Sequence, residues 1–72
     1  MDRLEAMDML KELINSHLVD PTHINIMLRK PNHYQVQIKC DYSQAEIEAH
    51  AKKHGLVIEE DKERKYLVIY KP

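Results

Sequence analysis

The stretch INIMLRKPNHYQVQIKC (residues 24–40) decides the fold class, because its apolar residues follow the period of strands. Apolar and polar side chains alternate on both sides of Lys30-Pro31-Asn32-His33, through Ile24, Ile26 and Leu28 and then through Tyr34, Val36, Ile38 and Cys40. A period of two is typical of half-buried strands, and Pro31 suits the second position of a turn. The stretch therefore predicts a β-hairpin with those alternate residues facing inward.

The residues before this hairpin have the pattern of a helix. Between Asp2 and Val19 apolar side chains recur at steps of three or four, without Pro or Gly. We expect the helix to end near Asp20-Pro21, because the residue before a proline avoids the helical conformation.

The second half of the chain repeats the order of helix and hairpin. Ser43-Gln44-Ala45-Glu46 has the spacing of a capping box and predicts a helix from about Gln44 to His54, ended by Gly55. The runs at residues 56–59 and 66–70 predict a second hairpin, and we expect the charged stretch 59–65 to be a solvated loop.

These elements predict a single small α+β domain over residues 1–72, in the order α-β-β-α-β-β. Each helix and each hairpin has an apolar face, so we expect two helices packed on one face of a four-stranded, mainly antiparallel sheet. The order of the strands cannot be predicted from these patterns.

Charge and composition exclude several classes of protein. The chain has 11 Lys plus Arg against 12 Asp plus Glu, so it lacks the basic excess on which tight binding to nucleic acid or anionic membranes depends. No apolar run approaches the roughly 20 residues that span a bilayer, and Met1-Asp2-Arg3-Leu4-Glu5 does not resemble a signal peptide. We expect a cytoplasmic protein with no membrane contact, and a single Cys excludes an intramolecular disulfide.

The sequence offers few groups for chemistry. It contains no phosphate-binding glycine loop and no recognisable nucleophile triad, so we expect no enzyme activity and no cofactor. Glu46, His50 and His54 lie along one side of the second helix, which suits either a metal ion or hydrogen bonds within the fold; we expect the latter. Cys40 lies near the helix start, where a thiolate is favoured, but its inward position predicts a buried structural residue.

The first helix carries more apolar surface than one contact requires. One stripe consists of Leu4, Met7, Ile14 and Leu18, and a second consists of Ala6, Met9, Leu13 and His17, with Leu10 shared. We expect the first stripe to face the sheet and the second to meet a partner. The alternative is that the sheet and second helix bury this helix more deeply.

The last predicted strand is also apolar on both sides. Tyr66, Val68 and Tyr70 share one face, while Leu67 and Ile69 share the other. The strand is either central and covered on both sides, or it gives the open face of the sheet a tyrosine patch. In the second case the patch would adjoin the outward residues of the first hairpin, which are Asn25, Met27, Arg29, Gln35, Gln37 and Lys39.

The surplus apolar surface predicts a small non-enzymatic interaction or regulatory module. We expect a homodimer or a complex with a protein partner, formed through the first helix or the open sheet face. The expected interface residues are Ala6, Met9, Leu13, His17, Tyr66, Val68 and Tyr70. The alternative is a nucleic-acid-binding sheet on which bases stack against tyrosines, which the neutral overall charge disfavours.

Overall fold

The computed structural model of the chain describes residues 1–39 and 42–72. These residues form two α-helices and a four-stranded antiparallel sheet in the order α-β-β-α-β-β, which confirms the predicted α+β fold. The elements are α1 (Arg3–Asn15), β1 (Ile24–Lys30), β2 (His33–Lys39), α2 (Gln44–Lys53), β3 (Val57–Asp61) and β4 (Tyr66–Tyr70), with a short 3₁₀ helix at Pro21–His23.

The sheet joins the two hairpins through their second strands. Its order is β1-β2-β4-β3, and Val36 of β2 pairs with Ile69 of β4 while Ile38 pairs with Leu67. The central strands β2 and β4 are therefore flanked on both sides, and β1 and β3 form the two edges.

One face of the sheet is covered by both helices, with α1 over β1 and β2 and α2 against β3. The alternation predicted from the sequence places Val36, Ile38, Leu67 and Ile69 on this face, where all four are buried. Burial of one such side chain contributes about 1.5–3 kcal/mol. Leu28 was predicted to face inward but is 61% exposed, because it lies on the edge strand where the β1–β2 register shifts.

The capping box occurs at the first helix and not at the second. The Asp2 carboxylate accepts a hydrogen bond from the Glu5 backbone N–H at 2.8 Å, and the Glu5 carboxylate accepts one from the Asp2 backbone N–H at 3.5 Å. Ser43 makes no side-chain capping bond, so the predicted box at Ser43 and Glu46 is wrong. Spacing alone does not fix the rotamers that both bonds of a capping box require.

Helix α1 ends at Asn15, five residues before Asp20, near which its end was predicted. His17 adopts a left-handed conformation with φ of 59°, and the Leu18 N–H donates to the Leu13 carbonyl at 3.2 Å. This backbone reversal, a Schellman motif, turns Leu18 and the buried Val19 back onto the core before the chain reaches Pro21.

Helix α2 ends in the same way at Gly55, as predicted. Gly55 has φ of 70°, and the Leu56 N–H donates to the Ala51 carbonyl at 2.9 Å. Both helices thus end in a Schellman motif, in which the left-handed residue is His17 in α1 and Gly55 in α2.

We expect His17→Gly to raise the free energy of unfolding by about 0.5–1 kcal/mol, because a residue with a Cβ is strained at this left-handed position. Gly55→Ala is the matched opposite change and should lower the free energy of unfolding by about 1 kcal/mol. Its added Cβ would meet no atom within 4 Å, so the cost would come from the backbone alone. Urea unfolding followed by circular dichroism measures both effects, and a loss of stability in His17→Gly would contradict this assignment.

Candidate functional site

The structure reverses the roles of the two stripes on helix α1. Ala6, Met9 and Leu13, expected to meet a partner, are buried in the core of the single chain. Their assignment as exposed interface residues is therefore wrong. His17 is exposed but lies beyond the end of the helix.

The stripe expected to face the sheet is the one with spare surface. Leu4 is 76% exposed, and the remaining members Met7, Ile14 and Leu18 are half-buried, as is Leu10. Two adjacent stripes of similar apolarity do not reveal from sequence alone which one faces the core.

The face of the sheet opposite the helices carries Tyr66, Val68 and Tyr70, as the alternation of β4 predicted. Val68 is 8% exposed and both tyrosines are half-buried. The strand register places residues from all four strands on this surface, hereafter called the open face: Asn25, Met27, Arg29, Gln35, Gln37, Lys39, Val57, Glu59, Asp61, Tyr66, Val68 and Tyr70.

Side chains from four strands form a connected network across the open face. The guanidinium of Arg29 lies 3.9 Å from the centroid of the Tyr70 ring and donates a hydrogen bond to the Gln35 side-chain oxygen at 3.1 Å. The Tyr70 hydroxyl donates to the Glu59 carboxylate at 2.6 Å. This last bond raises the pKa of Tyr70, because the neutral hydroxyl is the donor.

The network links long side chains of the open face to one another. A cation over an exposed aromatic ring contributes about 0.5–1 kcal/mol, and a hydrogen bond to a charged group contributes a similar or larger amount. These contacts favour one arrangement of Arg29, Gln35, Tyr70 and Glu59.

An open concavity of about 540 Å³ lies beside this network, toward the β3–β4 turn. Tyr66 and Val68 contribute to its floor, and its lining also includes Arg29, Gln35 and residues 59–63. Four carboxylates line it, from Glu59, Glu60, Asp61 and Glu63, against two basic side chains, from Arg29 and Lys62. The concavity therefore favours a cationic group.

A second cluster joins the two helices on the covered side of the sheet. One oxygen of the Glu12 carboxylate lies 2.6 Å from His50 Nδ1, and the other lies 2.9 Å from His54 Nε2. Because a carboxylate only accepts hydrogen bonds, His50 Nδ1 and His54 Nε2 each carry a hydrogen and donate it to Glu12. These hydrogen bonds lower the pKa of Glu12, and the bond from His54 has the larger effect.

The expectation that His50 and His54 are hydrogen-bonded helix residues is confirmed, with Glu12 as the partner that the sequence did not indicate. Glu46 is exposed and does not join them. Within residues 1–39 and 42–72, no group of three or more His, Cys, Asp or Glu side chains is arranged to hold a metal ion. Cys40 lies outside the described residues, so both interpretations of its thiol stay predictions.

Sequence reasoning also missed Glu59 as part of the open face. The alternation of β3 places Glu59 on the same face as Val57 and Asp61, and Ile58 on the other face. This pattern was a signal that Glu59 faces away from the core. Its contact with Tyr70 depends on the β3–β4 register, and the stacking of Arg29 depends on β2 lying beside β4.

Comparison with known proteins finds no significant match to a family model, a curated protein sequence or a solved structure. In the part of the chain that the structure describes, neither helix is long and apolar enough to cross a membrane.

We expect Glu12→Gln to lower the free energy of unfolding by about 1 kcal/mol at neutral pH, because it removes the charge from two hydrogen bonds between the helices. Folding lowers the pKa of Glu12, so this stabilisation is present above the ordinary carboxyl value of 4.5 and is lost as the pH falls through the folded value. The difference between wild type and variant should therefore shrink as the pH falls below the ordinary carboxyl value of 4.5.

The matched control is Glu48→Gln, which removes an exposed ion pair with Lys52 on α2. Its effect should stay below about 0.5 kcal/mol. Urea unfolding at several pH values measures both variants, and a Glu12→Gln effect that does not change with pH would contradict the charge-based account.

Proposed function

We propose that this protein is a small non-enzymatic interaction module that binds a protein partner through the open face of its sheet. The observation that supports this most strongly is the network of Arg29, Gln35, Tyr70 and Glu59, which orders side chains from all four strands on a surface that no element of the described chain covers. A cytoplasmic setting, in which a single reduced cysteine is ordinary, is part of the proposal.

The composition of the open face suits a protein interface. Tyrosine, methionine and arginine are enriched at such interfaces, and Tyr66, Tyr70, Met27 and Arg29 are all present. Binding costs less free energy when the contacting side chains are already ordered, because fewer rotamers are lost. The contact between Arg29 and Tyr70 favours such an ordered arrangement.

Charge supports a partner that presents a basic side chain. The concavity has an excess of carboxylates over basic groups, and Tyr66 offers an aromatic ring at its edge. A lysine or arginine entering this site would meet carboxylates and a ring face together, and both attract cations.

Homodimerisation remains part of the proposal. The contact expected from the sequence, through Ala6, Met9 and Leu13 of α1, is no longer part of it. The buried stripe of α1 is excluded as a contact, while the half-buried Leu10 and Ile14 leave apolar area that a second copy would cover.

Two substitutions on the open face and one control on α2 test this proposal. We expect Glu59→Arg and Tyr66→Ala each to lower the affinity for the partner at least tenfold. The control, Glu46→Arg, also replaces an exposed glutamate but lies on α2, and it should leave the affinity unchanged. Affinity purification from the source organism with all three variants and wild type, quantified by mass spectrometry, identifies proteins with this dependence. The proposal fails if every captured protein binds all four forms equally, provided that thermal unfolding shows the variants to be folded.

The nucleic-acid alternative has less support. The Arg29 guanidinium already covers one face of the Tyr70 ring, and the adjoining carboxylates would repel a phosphate backbone. We expect no salt-dependent binding to labelled single-stranded oligonucleotides in fluorescence anisotropy at low ionic strength. Saturable binding that Tyr70→Ala abolishes would instead make the nucleic-acid function the correct one.

A further inference from the structure

We propose that two copies of this chain associate along their β1 edges, which pair antiparallel about a two-fold axis at Met27 and form one eight-stranded sheet. The inference rests on the homodimer in the proposed function and names the strand through which the two copies would pair. It leaves the part of the open face formed by Glu59, Tyr66 and Tyr70 free for the partner.

The two edges of the sheet differ in their capacity to pair with another strand. Edge β3 has five residues, of which the last three are Glu59, Glu60 and Asp61. Pairing of β3 with its own copy about its midpoint would place Glu59 opposite Glu59, and like charges in that position are destabilising. Edge β1 has seven residues, and the segment Ile24–Leu28 carries no charge and no proline. Charged side chains, one of the devices that usually protect an edge strand, are therefore confined to the end of β1, where Arg29 and Lys30 lie and the β1–β2 register shifts.

Apolar exposure is concentrated on the same edge. Among the described residues three large apolar side chains are exposed, and two of them, Met27 at 43% and Leu28 at 61%, are neighbours in β1. They point to opposite faces of the sheet. A strand added to this edge would therefore cover one on each face.

The length of β1 sets the register of the pair. Met27 is the midpoint of Ile24–Lys30, so a two-fold axis there centres the pairing on the segment before the register shift between Leu28 and Lys30. Leu28 of one copy then lies opposite Ile26 of the other, and Met27 lies opposite Met27. The two Lys30 residues fall at opposite ends, about 20 Å apart at roughly 3.4 Å per residue. In this register the apolar side chains of the two strands contact each other, and the two lysines are far apart.

Helix α1 fits the same arrangement. Its Glu12 side is turned toward α2, because Glu12 contacts His50 and His54. Leu10 and Ile14 lie two residues from Glu12 in either direction, about 160° around the helix, and both are half-buried. They lie on the flank that faces away from α2, toward the β1 edge.

The spacing of strands brings these flanks together. Helix α1 lies over β1 and β2, so its axis would be about two strand spacings, roughly 10 Å, from the axis of its copy. Packed helices are separated by about 8–10 Å. Strand pairing would thus bring Leu10 and Ile14 of each α1 into contact with those of the other copy, which accounts for apolar surface that the single chain leaves half-covered.

Sedimentation equilibrium with an edge variant tests the proposal. Wild type is expected at twice the chain mass at tens of micromolar, and Leu28→Lys should weaken dimerisation at least tenfold. Because Leu28 is mostly exposed, the change leaves the monomer core intact, which circular dichroism verifies. Leu4→Lys, which changes the exposed leucine on the outer side of α1, is the matched control and should remain dimeric.

A crosslink tests the register independently. In a Cys40→Ser background, Met27→Cys should form a disulfide between copies on mild oxidation, whereas Glu63→Cys in the β3–β4 turn should not. A monomeric wild type, a dimer that Leu28→Lys leaves intact, or equal crosslinking at both positions overturns the proposal. Partner binding that Glu59→Arg abolishes would still support the open face, so the two failures are distinguishable.

Discussion

The pairing of β2 with β4 is the interaction on which the rest of this fold depends. A helix with a two-stranded hairpin is marginal by itself, because a hairpin needs further strands or a packed face for stability. The β2–β4 ladder joins two such units and places Val36, Ile38, Leu67 and Ile69 side by side beneath both helices. Each unit thereby supplies the core that the other lacks, in a chain whose single Cys allows no internal disulfide.

The same ladder creates the candidate site. Arg29 belongs to the first hairpin, while Tyr70 and Glu59 belong to the second, so their network exists only when β2 and β4 are adjacent. On the covered side, the bonds from Glu12 to His50 and His54 connect the helices of the two units. The open face and the helix layer are thus held in place by contacts between units, and the affinity proposed for the open face depends on the integrity of the whole domain.

Local patterns predicted the elements well and the contacts between them poorly. The period of two in residues 24–40 and the glycine at position 55 were sufficient to place strands and a helix end, because both are set by nearby residues. His17 was missed as a helix terminator, since histidine only occasionally adopts a left-handed conformation. The choice between two apolar stripes on α1, the role of Glu12 and the contact of Arg29 with Tyr70 all depend on strand order and helix placement, which one sequence does not encode in any local pattern. The tyrosine-bearing face could be predicted because alternation within β4 alone places Tyr66 and Tyr70 together.

Residue-resolved amide hydrogen exchange tests the central role of the β2–β4 ladder most directly. If the two units are stable only together, the amides of Val36–Ile38 and Leu67–Ile69 should exchange most slowly in the chain, with equal free energies of opening that match the global free energy of unfolding. Amides in β1 and β3 that face the sheet edges should exchange faster. Different opening free energies for the β2 and β4 amides, with one hairpin opening while the other stays protected, would contradict this account.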